Sequence, residues 1–209
     1  MDKALATALR DARQRLLAKG LLPAERGSVS LRPPGRLDKL LMCGADGDVR
    51  PCAAPFDATA ALHAAIYRLR PDVGAIVVGG ASFGRVLAAL GGAMPVLFDE
   101  QARHLGRMKP AASATDDAGL AAALREGGNA LLVGGMPVCL GTTCQRMVFN
   151  AELFEKCAKA YVLAASTGDA VAALPWWVCH IANGRLMKDE RRAAQRFAAG
   201  RLPEEVRGY

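Results

Sequence analysis

The chain has 209 residues, 52% hydrophobic and only 5% aromatic, with a formal net charge of +7 and a pI near 9.3. That length suits one domain burying roughly 70% of the surface its unfolded form exposes, and the apolar content excludes a disordered chain. The longest uncharged stretch, 127–145, is broken by Gly134, Gly135, Pro137 and Gly141 and falls short of the ~20 apolar residues of a membrane helix; the first residues carry no export signal, so a cytoplasmic protein is expected.

In chain order, Leu5, Leu9, Ala12, Leu16 and Leu17 recur at helical intervals between Asp2 and Lys19, with Gly20 as a stop. Ser28 to Arg32 and Lys39 to Met42 read as two strands around Pro33-Pro34-Gly35, and Val49 to Cys52 as a short edge strand, where a proline is tolerated. Asp57 caps a helix whose inner stripe is expected to be Ala61, Leu62, Ala65, Ile66 and Leu69. Gly74 to Val78 is a buried strand. A helix through Phe83, Val86, Leu87 and Leu90 precedes an extended piece from Met94 to Phe98.

Asp116 or Asp117 opens a helix stopped at Gly127-Gly128, and Ala130 to Leu140 holds two strand-like pieces hinged at Gly134-Gly135. Thr142 or Thr143 begins a long helix to about Ala165, with Val148, Leu153, Ala158, Val162 and Leu163 inward. A tail, 171–209, then carries Pro175-Trp176-Trp177, an anchor to the domain (1–170) or to a neighbouring subunit, and a charged helix from Leu186 to Ala199.

Six cysteines without CxxC pairs read as free thiols buried as small hydrophobes, and His63, His104 and His180 lie too far from each other in sequence to suggest a zinc site. His63 sits on an apolar helix face as a satisfied core histidine, while His104 is expected to be exposed. The basic excess is concentrated in Arg10, Arg13, Arg15 and Lys19 and in Arg191, Arg192, Arg196 and Arg201, interleaved with acids as on a solvated helix face.

From about Leu5 to Ala165 the order of elements resembles the class II aldolase and adducin family, with its fuculose-phosphate aldolase type of fold. Two segments carry the resemblance: Gly27-Ser28-Val29-Ser30-Leu31-Arg32, similar to the family's Gly-Asn-Val-Ser strand, and the more specific run from Leu62-His63 through Arg70-Pro71-Asp72-Val73-Gly74 to Val77. The resemblance implies a three-layer α/β/α sandwich around a mainly antiparallel sheet. In the family the second segment leads into a His-x-His pair that binds zinc; here the matching positions are Val78 and Gly80. A third histidine, in an Asn-His-Gly turn, matches Gly135, and the family's acid, four residues before the helix histidine, matches Thr59.

None of these side chains can hold zinc, which in such enzymes stabilises an enediolate, so neither metal nor cofactor is expected. The family's anion pocket falls on Ser28, Cys43-Gly44 and Asp57-Ala58, beside Thr59; backbone amides there suit a phosphate or carboxylate, although the Asp57 charge opposes one.

Three functions follow as expectations. The first is a metal-free binding or assembly protein, a homo-oligomer with a tetramer favoured, possessing a pocket for a small anionic ligand. The second is an enzyme of altered mechanism on a small phosphorylated or carboxylated carbonyl compound, marked by a concave site with a titratable group of shifted pKa. Nucleic-acid binding rests on charge alone and is not favoured.

Overall fold

The computed structural model describes residues 3–23, 27–36, 38–44, 46–109, 117–125 and 128–205. Six strands, β1 (Ser28–Leu31), β2 (Lys39–Cys43), β3 (Val49–Ala53), β4 (Ala75–Val78), β5 (Ala130–Val133) and β6 (Met136–Gly141), form one sheet in the order β3-β2-β1-β4-β6-β5. Every neighbouring pair is antiparallel. β3 lies at one edge, where Pro51 withholds no donor from an inner ladder. β5 and β6 join through Gly134 and Gly135, both at positive φ (56° and 79°), the backbone a two-residue hairpin turn requires.

The two-residue period of the strands sorts side chains onto two faces. Val29, Leu31, Leu41, Cys43, Ala75, Val77 and Cys139 point one way; Leu40, Met42, Ile76, Val138 and Leu140 point the other. Helices α1 (Lys3–Ala18) and α6 (Cys144–Ala165) cover the first face, with α3 (Ser82–Val86) packed on α6; α2 (Ala58–Leu69) and α5 (Asp117–Leu124) cover the second. The result is the expected three-layer α/β/α sandwich. A short helix α4 (Asp99–His104) and the long α7 (Trp176–Ala198) pack on one another. All six cysteines are free, and all but Cys52 are buried.

Four expectations are corrected. The buried side of α2 is Ala60, His63, Ala64, Ile66 and Tyr67, while Ala61 and Leu69 face solvent. The helix has turned a polar pair inward because serines of β1 satisfy it. Leu163 is exposed, since α6 meets the sheet along Val148, Ala151, Phe154, Ala158 and Val162. Met94 to Phe98 joins no strand: Pro95 has no amide hydrogen, and Gln101 of α4 takes the local hydrogen bonds, accepting from Leu97 N (2.9 Å) and donating to Pro95 O (3.0 Å). The charged helix begins ten residues early, at Trp176, with Trp176 and Trp177 exposed rather than anchored in the domain. The expected helix start at Asp116 and stop at Gly127 lie outside the described residues; Thr143 and Asp57 are N-caps, as expected.

Two buried polar clusters fix how the layers meet. His63 on α2 contacts Ser28 Oγ through Nε2 (2.9 Å) and Ser30 Oγ through Nδ1 (2.7 Å), and Ser30 Oγ also meets the Tyr67 hydroxyl (2.8 Å). At the end of α2, Arg70 donates from Nε and Nη2 to both carboxylate oxygens of Asp72 (2.8 and 2.7 Å), from Nη1 to Gly128 O (2.8 Å), and from Nη2 to Asn129 Oδ1 (2.9 Å). The same nitrogen pairs with Glu190 Oε1 of α7 at 2.9 Å.

These clusters respond to pH in opposite senses. Burial pushes His63 down from 6.5 to about 4, so the unfolded chain binds the extra proton and stability is lost as pH falls through that interval. Glu190 is pushed up from 4.5 to about 7, by burial and by the Asp72 carboxylate that already shares Arg70. There the folded state holds the extra proton, and this group's contribution falls as pH rises across that range. Glu190→Gln is therefore expected to steepen the loss of stability between about pH 6.5 and 4.5, and His63→Gln to make it shallower while costing about 1–3 kcal/mol at neutral pH by stranding a serine hydroxyl. Urea unfolding midpoints across pH read both; parallel curves for all three proteins would contradict the assignment.

Candidate functional site

Two places on the fold can be weighed as a site, one at each end of β4. At its C-terminal end Val78 sits between Ser28 of β1 and Val138 of β6. Gly79 N then donates to Pro137 O (2.9 Å) and Gly80 N to Leu21 O (2.8 Å), so the backbone is committed to its neighbours. Gly80 has φ +97°, and a Cβ there would lie 2.5 Å from Pro137 Cγ; one at Gly79 would lie 3.2 Å from Leu22 Cδ1. Val78, Gly79 and Gly80 supply no side-chain donor atoms, and a proline ring and a leucine fill the space beside the glycines. A zinc ion does not fit this set. Gly135, in the hairpin turn, has open space around it. Among the described residues no group of three His, Cys, Asp or Glu side chains is placed to hold a metal ion.

The residues expected to bind an anion are dispersed. Ser28 is buried on the α2 side and engaged with His63, whereas Cys43 faces α1 on the opposite side of the sheet, donating its thiol to Gly47 O at 3.2 Å. Gly44 offers its carbonyl to Arg13 Nε (3.1 Å). Asp57 accepts from Ala60 N (2.8 Å) as the cap of α2, and Thr59 is exposed in the first turn of that helix. His63 is the satisfied core histidine expected of it, held neutral at ordinary pH.

At the other end of β4 the strand meets Gly141, and the chain continues through Thr142 into α6. There α4, the start of α6 and α7 surround a cavity of about 420 Å3. Arg103 and His104 of α4, Asn129, Arg146 of α6 and Glu190 of α7 all line it. His104 is half-buried, not exposed as expected, and accepts from Arg146 Nη1 at Nδ1 (2.8 Å), which places the proton of its neutral ring on Nε2. Burial first, then Arg146 and Arg103, push His104 down to about 4. Arg103 pairs with Asp189 (3.2 Å), and its Nε is buried without a hydrogen-bond partner. A neutral imidazole, a carboxyl pushed up by burial and several guanidinium groups thus share one concavity, a set able to hold an anion.

Arg103, Arg146 and Glu190 were not legible as a site in the sequence: they come from three separate elements, and the basic run of α7 reads locally as a solvated face. The composition gave one signal, the surplus of Arg over acid near the end of the chain.

The profile of the Class II Aldolase and Adducin N-terminal domain matches residues 8–162. Comparison with curated protein sequences finds no match. Among solved structures, an L-fuculose 1-phosphate aldolase aligns with a TM-score of 0.68 at 20% identity, covering 90% of this chain and 98% of that one. YgbL from Klebsiella pneumoniae aligns at 0.66 with 19% identity, covering 85% and 97% of the two chains. The L-fuculose-1-phosphate aldolase of Thermus thermophilus aligns at 0.62 with 22% identity, covering 81% and 98%. At such identities the likeness is one of fold, and it agrees with the six-stranded antiparallel sheet between helical layers. With three quarters of its length under the family profile, the chain belongs to the class II aldolase and adducin family.

Proposed function

We propose that this chain uses the class II aldolase scaffold without zinc-dependent aldol chemistry, as a metal-free binding or assembly protein. The observation that carries the reading is the end of β4: Val78 and Gly80 stand where the resemblance puts two zinc ligands, and the Pro137 ring occupies the space a side chain at Gly80 would need. Thr59, in the position of the family's acid, has no carboxylate to move a proton.

Support for assembly comes from α7, which exposes Trp176, Trp177 and Ile181. Trp177 and Ile181, four residues apart, share one face of α7; exposed apolar side chains of this size suit a self-complementary contact with a second copy of the chain, and a tetramer is the favoured form. Among the described residues no helix is long and apolar enough to cross a membrane.

A second reading, an enzyme of altered mechanism on a small phosphorylated or carboxylated carbonyl compound, is favoured by the concavity between α4, α6 and α7, whose wall carries the Glu190 carboxyl, pushed up by burial.

Metal analysis of untagged protein, loaded with zinc and then dialysed, is expected to find it empty; zinc retained one-to-one would overturn the metal-free reading. Grafting histidines as Val78→His with Gly80→His is expected to create no tight zinc site and to lower stability by about 1–3 kcal/mol through overpacking on Pro137, read by zinc titration and urea unfolding.

A further inference from the structure

The cavity between α4, the start of α6 and α7 is the size of a small-molecule site, about 420 Å3. Its charge is unbalanced. Five guanidinium groups line it, those of Arg103, Arg146, Arg192, Arg196 and Arg201, against the three carboxyl groups of Asp189, Glu190 and Glu204.

The carboxyls are already engaged: Asp189 with Arg103 at 3.2 Å, Glu204 with Arg196 at 2.9 Å, and Glu190 with Arg70, behind the wall, at 2.9 Å. The Arg146 guanidinium is held below its ordinary value by burial and then by the nearby Arg103, with the Asp189 and Glu205 carboxylates offsetting part of that effect. Crowding cations in a partly desolvated space costs free energy that a bound anion would recover. His104 is spent on Arg146, keeping that group directed into the cluster, and Arg192 and Arg201 stand exposed at the rim. The apolar part of the lining, Leu186, Ala193 and Ala199, gives a carbon skeleton something to lie against.

We propose that this cavity binds a compact organic anion with two or more negative charges, of the tricarboxylate or phosphomonoester kind, gripped by Arg103 and Arg146 within and Arg192 at the rim. Planar guanidinium forks match both carboxylate and phosphoryl oxygens. The site lies at the end of the sheet opposite Val78 and Gly80, and it does not rest on the metal-free reading: retained zinc would overturn that reading and leave this one standing.

The test is calorimetric titration of the full, untagged chain with citrate, glycerol 3-phosphate and inorganic phosphate in turn, at fixed ionic strength. One-to-one binding of citrate or glycerol 3-phosphate is expected, and preference between the two identifies the class. Arg192→Glu, at an exposed position that leaves folding intact, is expected to weaken binding by about tenfold or more, and Arg103→Gln likewise. Arg50→Glu, at the far edge of the sheet on β3, is expected to leave it unchanged. Absence of binding to all three probes at millimolar concentration would overturn the proposal, and so would an equal loss from Arg50→Glu and Arg192→Glu, which would mean that net charge alone attracts the anions.

Discussion

The Arg70 guanidinium is the fixed point from which the positions of several elements follow. A buried fork with five donors cannot be left half satisfied, because an unpaired buried charge costs several kcal/mol. Its acceptors come from Asp72 beyond α2, the Gly128 carbonyl and Asn129 at the entry to β5, and Glu190 of α7. Asn129 in turn donates to Glu190 Oε1 (2.9 Å) and to His104 O (3.0 Å), bringing α4 into the same set. The long C-terminal helix is thus held to the sandwich by a demand for acceptors as well as by apolar contact. With two carboxyls sharing one guanidinium, burial and the Asp72 charge push Glu190 above the ordinary carboxyl range.

Much of this fold was legible in the sequence, and the reasons are local. Alternation at Ser28 to Leu31 and the apolar run from Ala75 to Val78 gave strands. Asp57 and Thr143 gave helix starts because their side chains reach amides three residues on, and Gly134-Gly135 gave the hairpin because both take positive φ. The failures share a different cause. Hydrophobicity put Ala61 and Leu69 on the inner face of α2, whereas both face solvent, and Tyr67 goes inside because a hydroxyl more than thirty residues away, that of Ser30 on β1, is there to receive it. No pattern within a helix records a partner on a strand. The cavity was hidden for the same reason, since Arg103, Arg146 and Glu190 converge only once the sheet has formed.

The two ends of β4 have gone separate ways. One is closed, its glycines pressed against Pro137 and Leu22; the other opens into a basic concavity. A shared backbone does not dictate what such an end carries, because function resides in the side chains of a site and not in the fold.

The burial of the thiols has a consequence for time rather than for structure. Burial pushes Cys144 and Cys157 up to about 12, and Cys139 higher still. The thiolate is the species that reacts, so in the closed molecule these sulfurs are both shielded and protonated. An alkylating reagent reaches them only while the surrounding layers part, and the pace at which each sulfur is consumed becomes a clock for how often its part of the sandwich opens: Cys157 for α6 against the sheet, Cys139 for the ladder between β4 and β6, with half-buried Cys52 on the edge strand as the fast reference.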